Sequence, residues 1–150
     1  HMLLRSPLFS LPIVLVMCLL TGCQERPKSF VEQPPGWNSI TIRKGLAKDI
    51  AWQKVADLLA KSYDLEVMNK DTGYIRTAYK ISQAIYTSSG QIESSYRRRV
   101  IAKIQSDTDI IEIKTEAGWW DKNCWLEGFD SVDMATLKTD ISAVIGDITK

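Results

Sequence analysis

The stretch "YRRRVIAKIQSDTDIIEIKTEAGWW", Tyr96 to Trp120, carries the pattern that decides the fold. Apolar and charged side chains alternate on both sides of "SDTD", Ser106 to Asp109, which is typical of two strands joined by a turn. Because alternate residues of a strand point to opposite faces of its sheet, each strand has one apolar and one charged side. The pattern therefore predicts an antiparallel hairpin that covers a core with one face only.

Before this hairpin the sequence predicts a strand, a helix and a second hairpin. "SITIRK", Ser39 to Lys44, alternates like a short strand, and "KDIAWQKVADLLAKSY", Lys48 to Tyr63, has the periodicity of an amphipathic helix. A turn from Asn69 to Gly73 then joins two short strands, since glycine permits the backbone conformations that turns need. The apolar side of the helix is predicted to contain Ile50, Trp52, Val55, Leu58, Leu59 and Tyr63.

Two segments are predicted to be connections, and a helix is predicted to close the chain. "QAIYTSSGQIES", Gln83 to Ser94, has the Ser and Gly content of a long exposed connection, and "GWWDKNCWLEGF", Gly118 to Phe129, is predicted to be a loop. The last segment has Asp130 or Ser131 as its N-cap. Its apolar stripe is Met134, Leu137, Ile141, Val144, Ile145 and Ile148.

The element order β-α-β-β-β-β-α, without an internal repeat, predicts an α+β fold. We expect an antiparallel sheet of four to five strands with the helices packed on one face. A chain of 150 residues is long enough for one ordinary domain, which is predicted to span residues 39–150.

Strand parity separates a predicted core face from a predicted basic face. The core face is expected to hold Ile75, Thr77, Tyr79, Ile81, Tyr96, Val100, Ala102, Ile104, Ile111 and Ile113. The opposite face is expected to be basic and to hold Arg76, Lys80, Arg97, Arg99, Lys103 and Lys114, interrupted by Ile101 and Glu112. Such a face suits an anionic partner, because arginine binds oxyanions with two hydrogen bonds; the alternative is a solvated face whose charges serve solubility. Arg98 has core parity and is interpreted as the frayed start of its strand.

The predicted loop from Gly118 to Phe129 is rich in aromatic residues, among which Trp119 and Trp120 are candidate partner-binding residues. Tryptophan is enriched at interaction hot spots. The alternative is that most of these rings cap the core beneath the closing helix. Cys124 is predicted to be a buried apolar residue rather than a reactive thiol.

The first residues have the features of a secretion signal. "LLRSPLFSLPIVLVMCLL", Leu3 to Leu20, has an early basic residue and roughly a dozen apolar residues, which is too short to span a bilayer. The following Leu20-Thr21-Gly22-Cys23 resembles the lipobox of bacterial lipoproteins. The resemblance implies that residues 1–22 are a signal peptide, which here includes the cloning scar His1-Met2, and that Cys23 becomes a lipidated first residue; the alternative is an ordinary cleavage site.

The residues after Cys23 indicate in which membrane the protein is anchored and how its domain is connected to the anchor. By resemblance to the sorting rule of Gram-negative lipoproteins, Gln24 favours the outer membrane, so we expect a lipid-anchored protein facing the periplasm. Residues 23–38 contain Pro27, Pro34 and Pro35 without a helix or strand period, and are predicted to be a flexible tether.

Composition excludes several kinds of chemistry. After Cys23 the chain has 18 basic and 18 acidic residues, and this neutrality argues against nucleic acid as the main partner. The only histidine is His1, in the cloning scar, so Ser-His-Asp and Cys-His catalysis and histidine zinc sites are not expected. No catalytic residue, metal or cofactor is predicted.

The phrase "AWQKVADLLAKSYDLEVMNKDTGYIRTAY", Ala51 to Tyr79, resembles the helix-then-hairpin module of BamC-type lipoproteins. Trp52 and Val55 head the helix, and Asp71-Thr72-Gly73 forms the turn before the next strand. These proteins are accessory subunits of the machinery that assembles outer-membrane β-barrels, and the resemblance implies a helix-grip fold. This chain departs from that family because it has room for only one such domain, whereas the family has two.

The sequence therefore predicts a periplasmic lipoprotein that acts as a non-enzymatic interaction module in cell-envelope or outer-membrane protein assembly. Its expected partners are the membrane, through the lipid, and envelope proteins or anionic envelope components. The alternative is a lipoprotein that carries or senses a lipid or glycan, which a deep apolar cavity would favour.

Overall fold

The central hairpin predicted from the sequence forms the middle of the sheet, and its first strand begins earlier than predicted. Strand β6 spans Ile92–Ile104 and strand β7 spans Ile110–Asp121. The two pair antiparallel in one continuous register that ends with Ile104 opposite Ile111. The computed structural model describes residues 26–147.

Six further strands and two helices complete the described residues. The helices are α1 (Lys48–Ala60) and α2 (Ser131–Ile145). The strands are β1 (Phe30–Val31), β2 (Asn38–Thr41), β3 (Leu65–Asn69), β4 (Tyr74–Thr77), β5 (Lys80–Tyr86) and β8 (Cys124–Asp130). Across the antiparallel sheet the order is β1-β8-β7-β6-β4-β3, while β2 pairs with β7 and β5 with β6. The predicted α+β class is confirmed, with eight strands in residues 26–147 where four to five were expected.

Both helices pack on one face of this sheet. In α1 the buried residues include Trp52, Val55 and Leu59, at the spacing that places them on one side of the helix. Ile50, predicted on the same side, is instead exposed. The main core between helices and sheet consists of Ile40, Ile42, Ala51, Trp52, Val55, Ala56, Leu59, Ile75, Val100, Ala102, Ile104, Ile111, Ile113, Ile141 and Ile145.

A second core lies on the same face, towards the β1 edge of the sheet. It contains the buried side chains of Phe30, Tyr96 and Trp119, together with Ala117 and the partly buried Leu126. The rings of Phe30 and Tyr96 meet edge to face with centroids 5.9 Å apart. This core attaches β1 and β8 to the central hairpin.

Asp130 joins the second core to α2. Its buried carboxylate caps the helix by accepting the Asp133 N–H at 2.9 Å, which confirms the predicted N-cap, and it also accepts the Tyr96 hydroxyl at 2.6 Å and the Ser29 hydroxyl at 2.8 Å. Burial by itself raises the pKa of this carboxyl. These hydrogen bonds and the nearby Arg98 outweigh burial, so the pKa lies below its ordinary value.

Both predicted connections are wrong, because each contains strand. Most of Gln83–Ser94 belongs to β5 and to the start of β6, joined by a turn in which the Thr87 N–H bonds to the Gln91 carbonyl. The aromatic segment after Gly118 completes β7 and forms β8, which meet at a turn where Lys122 has φ 58°. The sequence placed Lys80 to Ser82 at the end of the preceding predicted strand and missed the rest of β5, because this edge strand is largely exposed on both sides and no apolar alternation marks it.

Two other expectations differ from the structure near the strand ends. Phe30 and Val31, inside the range predicted as a flexible tether, pair with Asp130 and Phe129 of β8. Arg98 is not at a frayed start, because β6 begins six residues earlier at Ile92.

Candidate functional site

The face of the sheet opposite the helices, called here the open face, is the candidate site. Neither helix of the described residues packs on it, since both contact the main core. Parity places Arg97, Arg99 and Lys103 of β6 on this face. It also places Glu112, Lys114, Glu116 and Trp120 of β7 there.

The predicted basic character of this face is wrong, because glutamates accompany the cations. Five predicted cations lie there, and four glutamates pair with them. The N···O distances are 2.7 Å for Arg97–Glu127, 2.7 Å for Arg99–Glu116, 3.5 Å for Arg76–Glu66, 3.8 Å for Lys103–Glu112 and 4.0 Å for Lys114–Glu116. The face is therefore nearly neutral. Glu116 shares the strand parity of Lys114 and was visible in the sequence, whereas Glu66 and Glu127 come from other strands.

Arg97 lies between two aromatic rings. Its guanidinium carbon is 4.4 Å from the ring centroid of Tyr79 and 3.9 Å from that of Trp125. The arginine crosses the strand above Gly118, where an added Cβ would stand 2.9 Å from the Arg97 Nε atom and 3.2 Å from the Trp125 ring. Glycine at this position therefore makes room for the stack.

Other aromatic groups extend this arrangement along the open face. The Arg99 guanidinium also lies 4.4 Å from the Tyr79 ring. The Trp120 ring meets the Trp125 ring edge to face at 5.5 Å, and its Nε1–H donates to the Ile92 carbonyl at 3.0 Å. At the other end, the Trp37 ring has two ammonium groups near it, Lys103 at 4.6 Å and Lys114 at 4.7 Å.

The ionisation of the stacked groups is set by burial and by their partners. Burial raises the pKa of the Tyr79 hydroxyl, although Arg99 and Arg97 oppose that change. Burial disfavours the charged form of Arg99, but its hydrogen bond to Glu116 outweighs burial and raises its pKa overall. Tyr79 therefore stays neutral and Arg99 stays charged near pH 7.

Lys80 is not on the open face, which corrects the predicted parity. β4 pairs Arg76 with Ile101, but β5 pairs Lys80 with Arg98, so one extra residue lies between the two strands. A bulge of one residue moves all later side chains to the other face. Lys80 consequently lies on the helix side, where its Nζ donates to the Ser62 carbonyl at 3.2 Å.

The same shift affects two residues predicted to face the core. Tyr79 stacks on the open face with the arginines, and Ile81 is 63% exposed. The bulge could not be read from the sequence because alternation continues smoothly through "YIRTAYKIS", Tyr74 to Ser82.

The neighbouring Trp119 and Trp120 lie on opposite faces. Trp119 is buried in the second core, so its candidacy as a partner-binding residue is wrong. Trp120 is partly exposed on the open face with Trp125. Trp37 and Tyr79 were missed: the first lay in the predicted tether, and the second was given core parity.

Two cysteines complete the account of the predicted residues. Cys23 lies outside the described residues. Cys124, predicted to be buried, is exposed at the start of β8. Within residues 26–147 there is no cluster of three or more His, Cys, Asp or Glu side chains that could hold a metal ion.

A cleft of about 340 Å³ opens between α1 and α2 on the helix side. Inside it, the Arg98 Nη1 donates to both carboxylate oxygens of Asp133, at 2.7 and 2.8 Å, and the Tyr63 hydroxyl donates to the same carboxylate at 3.1 Å. Burial raises the pKa of Asp133 and of Tyr63. Asp133 thus joins Arg98 of β6 to Tyr63, just after α1, although the buried Arg98 Nε atom has no hydrogen-bond partner among the described residues. Such bonds between α1, α2 and the sheet are typical of a structural network.

The part of the chain from 26 to 147 contains no helix long and apolar enough to cross a membrane. Comparisons with protein-family models and with curated proteins gave no match to this chain. The residues of the open face are therefore the basis for a functional proposal.

Proposed function

We propose that this chain is a lipid-anchored lipoprotein of the outer membrane, facing the periplasm, and that it acts without catalysis as a protein-interaction module in cell-envelope assembly or maintenance. The observation that carries the proposal is the open face of the sheet. It presents Trp37, Tyr79, Arg97, Trp120 and Trp125 on a rigid support that neither helix covers.

The residue types of the open face favour a protein partner. Trp, Tyr and Arg are the residues most enriched at hot spots of protein–protein interfaces. The ion pairs leave little net charge, which does not favour a polyanion or an anionic bilayer as the main ligand. A folded protein surface with its own aromatic and charged groups matches this face best.

The stack around Arg97 supports binding through preorganisation. Its guanidinium is held by two rings and by the Glu127 carboxylate at 2.7 Å. A side chain already fixed in one rotamer loses less conformational entropy when a partner binds, commonly about 0.5 to 1.5 kcal/mol less per side chain.

The anchor is supported by the sequence of Leu20 to Cys23 and the apolar run before it. A diacylglycerol on the Cys23 sulfur would bury two acyl chains, and two chains give stable membrane attachment. Mass spectrometry of the mature N-terminus should find acylated Cys23, and Cys23→Ser should abolish the modification. An unmodified N-terminus at another residue would contradict the anchor.

The interaction is tested by photo-crosslinking from the native membrane. A photoreactive amino acid at position 37 on the open face is compared with one at position 50 on the outer side of α1, because Trp37 and Ile50 are similarly exposed, at 40% and 49%. Position 37 should give a defined protein adduct, and position 50 should not.

The adduct must depend on the stack to support the proposal. Combining the crosslinker at position 37 with Arg97→Ala should strongly reduce the adduct, whereas Lys61→Ala, at the end of α1, should leave it unchanged. Equal adducts at positions 37 and 50, or an adduct insensitive to Arg97→Ala, would contradict the open face as the binding surface.

The alternative function, a carrier or sensor of a lipid or glycan, has less support. The interior between the helices and the sheet is filled by buried side chains such as Val55, Val100 and Ile113. The cleft between α1 and α2 has a mixed lining, in which charged groups such as Arg98, Asp133 and Asp140 lie beside leucines, so it is not the deep apolar cavity that a lipid carrier would need.

A further inference from the structure

The residues just after the proposed anchor are part of the folded domain. Phe30 is buried in the second core, and β1 pairs with β8. The Ser29 carbonyl accepts the backbone N–H of Ser131 at 2.9 Å and its hydroxyl at 3.1 Å. The N-terminal segment is therefore held to the start of α2 at Ser29, and the residues that follow Ser29 belong to the folded domain.

Contacts continue back to the first described residue. The Arg26 Nη1 bonds to the Glu32 carboxylate at 2.9 Å, and its guanidinium lies 5.7 Å from the Phe30 ring. The Phe30 N–H donates to the Pro27 carbonyl at 3.0 Å, which closes a turn. These bonds leave few residues free to act as a tether.

The length of chain between lipid and domain limits how far the domain can stand from the bilayer. Residues 24–28 separate Cys23 from Ser29, and even a fully extended chain of that length spans only roughly 20 Å. A domain of the described size has a radius of gyration of roughly 14 Å, hence a diameter of roughly 35 Å. The attachment point at the β1 edge must then lie within roughly 20 Å of the lipid headgroups, which is less than the diameter of the domain.

The surface around the attachment point has the composition of a membrane-contacting patch. Val132, in the first turn of α2, is 61% exposed and directly follows Ser131, which bonds to Ser29. Lys28, next to Ser29, is exposed, and Arg26 lies two residues before it with its guanidinium paired to the Glu32 carboxylate. An exposed apolar side chain near an exposed lysine suits the boundary between headgroups and acyl chains.

We propose that the patch formed by Arg26, Lys28 and Val132 rests on the phospholipid surface that holds the anchor, so that the domain is fixed against the membrane by its β1 edge. This inference rests on the proposed lipid anchor at Cys23. The sheet then stands with its open face accessible from the side, rather than turning freely on a tether.

Fluorescence quenching by lipid measures this orientation. The lipidated protein, with Cys124→Ser, carries a fluorophore on Val132→Cys or on Met68→Cys and is reconstituted into phosphatidylethanolamine–phosphatidylglycerol vesicles that contain a headgroup-nitroxide lipid. Met68 is the matched control, because it is an apolar residue 49% exposed on β3, five strands from β1 and hence roughly 24 Å across the sheet.

We expect quenching at position 132 to exceed that at position 68 several-fold. Inserting a flexible Gly/Ser segment between Gln24 and Glu25 should bring the two values closer, because the longer chain lets the domain turn. Equal quenching at the two positions without the insertion would overturn the orientation.

The same preparation separates failure of the orientation from failure of the proposed function. Acylated Cys23 with equal quenching overturns the orientation and leaves the anchored interaction module standing. Unacylated Cys23 overturns both the anchor and the orientation. The crosslinking experiment at position 37 tests the interaction surface separately from the acylation and quenching measurements.

Discussion

The two faces of the sheet use the same strands but are stabilised by different interactions. On the helix side, β6 and β7 bury Val100, Ala102 and Ile113 beneath α1 and α2. On the open face, the intervening residues form ion pairs and cation–aromatic contacts, such as Arg97 between Tyr79 and Trp125. Apolar burial stabilises the first face strongly, whereas partly exposed ion pairs contribute little to stability.

This difference shows how one sheet can combine a stable fold with the surface that we propose for binding. Ile101 lies on the open face and is buried, although neither described helix packs there. The long stems of lysine and arginine side chains can cover apolar surface of this kind. The charged ends and aromatic rings remain available at the surface. Changes on the helix side should therefore affect folding, and changes on the open face should affect binding more than folding.

The largest expected effect separates two adjacent tryptophans. Trp119→Ala should destabilise the protein by about 3 to 5 kcal/mol, because removal of this buried ring leaves a cavity in the second core. Trp120→Ala should cost only about 1 to 2 kcal/mol, through loss of the Trp125 contact and one hydrogen bond. Urea unfolding of both variants measures the difference, and equal free energies of unfolding would contradict the assignment of the two faces.

The next effect concerns the attachment of β1. A Cβ at Gly128 would lie on the Val31 carbonyl oxygen, at 1.9 Å, so Gly128→Ala should displace β1 and cost roughly 1 to 3 kcal/mol. Hydrogen exchange should show faster exchange of the Val31 and Ser131 amides while the β6–β7 amides stay protected. Unchanged protection of Ser131 would show that β1 is not held in this way. Gly36→Ala, where an added Cβ has no neighbour within 4 Å, is the control.

The buried carboxylate of Asp130 gives a pH-dependent prediction. Its pKa is depressed, so its ionised form stabilises the fold at neutral pH, and that contribution is lost as pH falls below about 4 and through the folded-state pKa. Asp130→Asn keeps an oxygen for the helix cap but lacks the charge, and should cost on the order of 1 kcal/mol at pH 7. The difference in Tm between variant and parent should narrow with acidification; a constant difference would contradict the depressed pKa. Burial raises the pKa of Asp133 and the Asp130 charge raises it further, so Asp130→Asn also lowers the pKa of Asp133.

The smallest expected effect is stabilising. Thr115 is buried on the helix side of β7, and its hydroxyl has no hydrogen-bond partner among the described residues. Thr115→Val removes this unsatisfied group at nearly constant volume and should raise the free energy of unfolding by about 1 kcal/mol. Thr77→Val is the matched control and should lower it, because the Thr77 hydroxyl accepts the Val100 N–H at 2.9 Å. A loss of stability in Thr115→Val would show that the hydroxyl has a partner, such as a bound water.

Local pattern was sufficient for elements in which one side is buried. The helix from Lys48, the hairpin turn before Tyr74 and the strands β6 and β7 were predicted because each has apolar residues at the period of its own backbone. The helix start was predicted for the same local reason, with Asp130 or Ser131 as its N-cap, and the structure selects Asp130, whose side chain bonds to a backbone group three residues away. The later part of strand β5 was missed because an edge strand exposed on both sides has no such period.

The sequence by itself determined the α+β class, the apolar side of the central hairpin and, through parity, the position of five cations on the opposite face. Only the tertiary structure decided that those cations are paired, that Lys80 lies on the helix side and that Tyr79 and Trp125 enclose Arg97. The physical reason is that parity acts within one strand, whereas ion pairs, ring stacking and the bulge before β5 depend on register between strands that are distant in the chain.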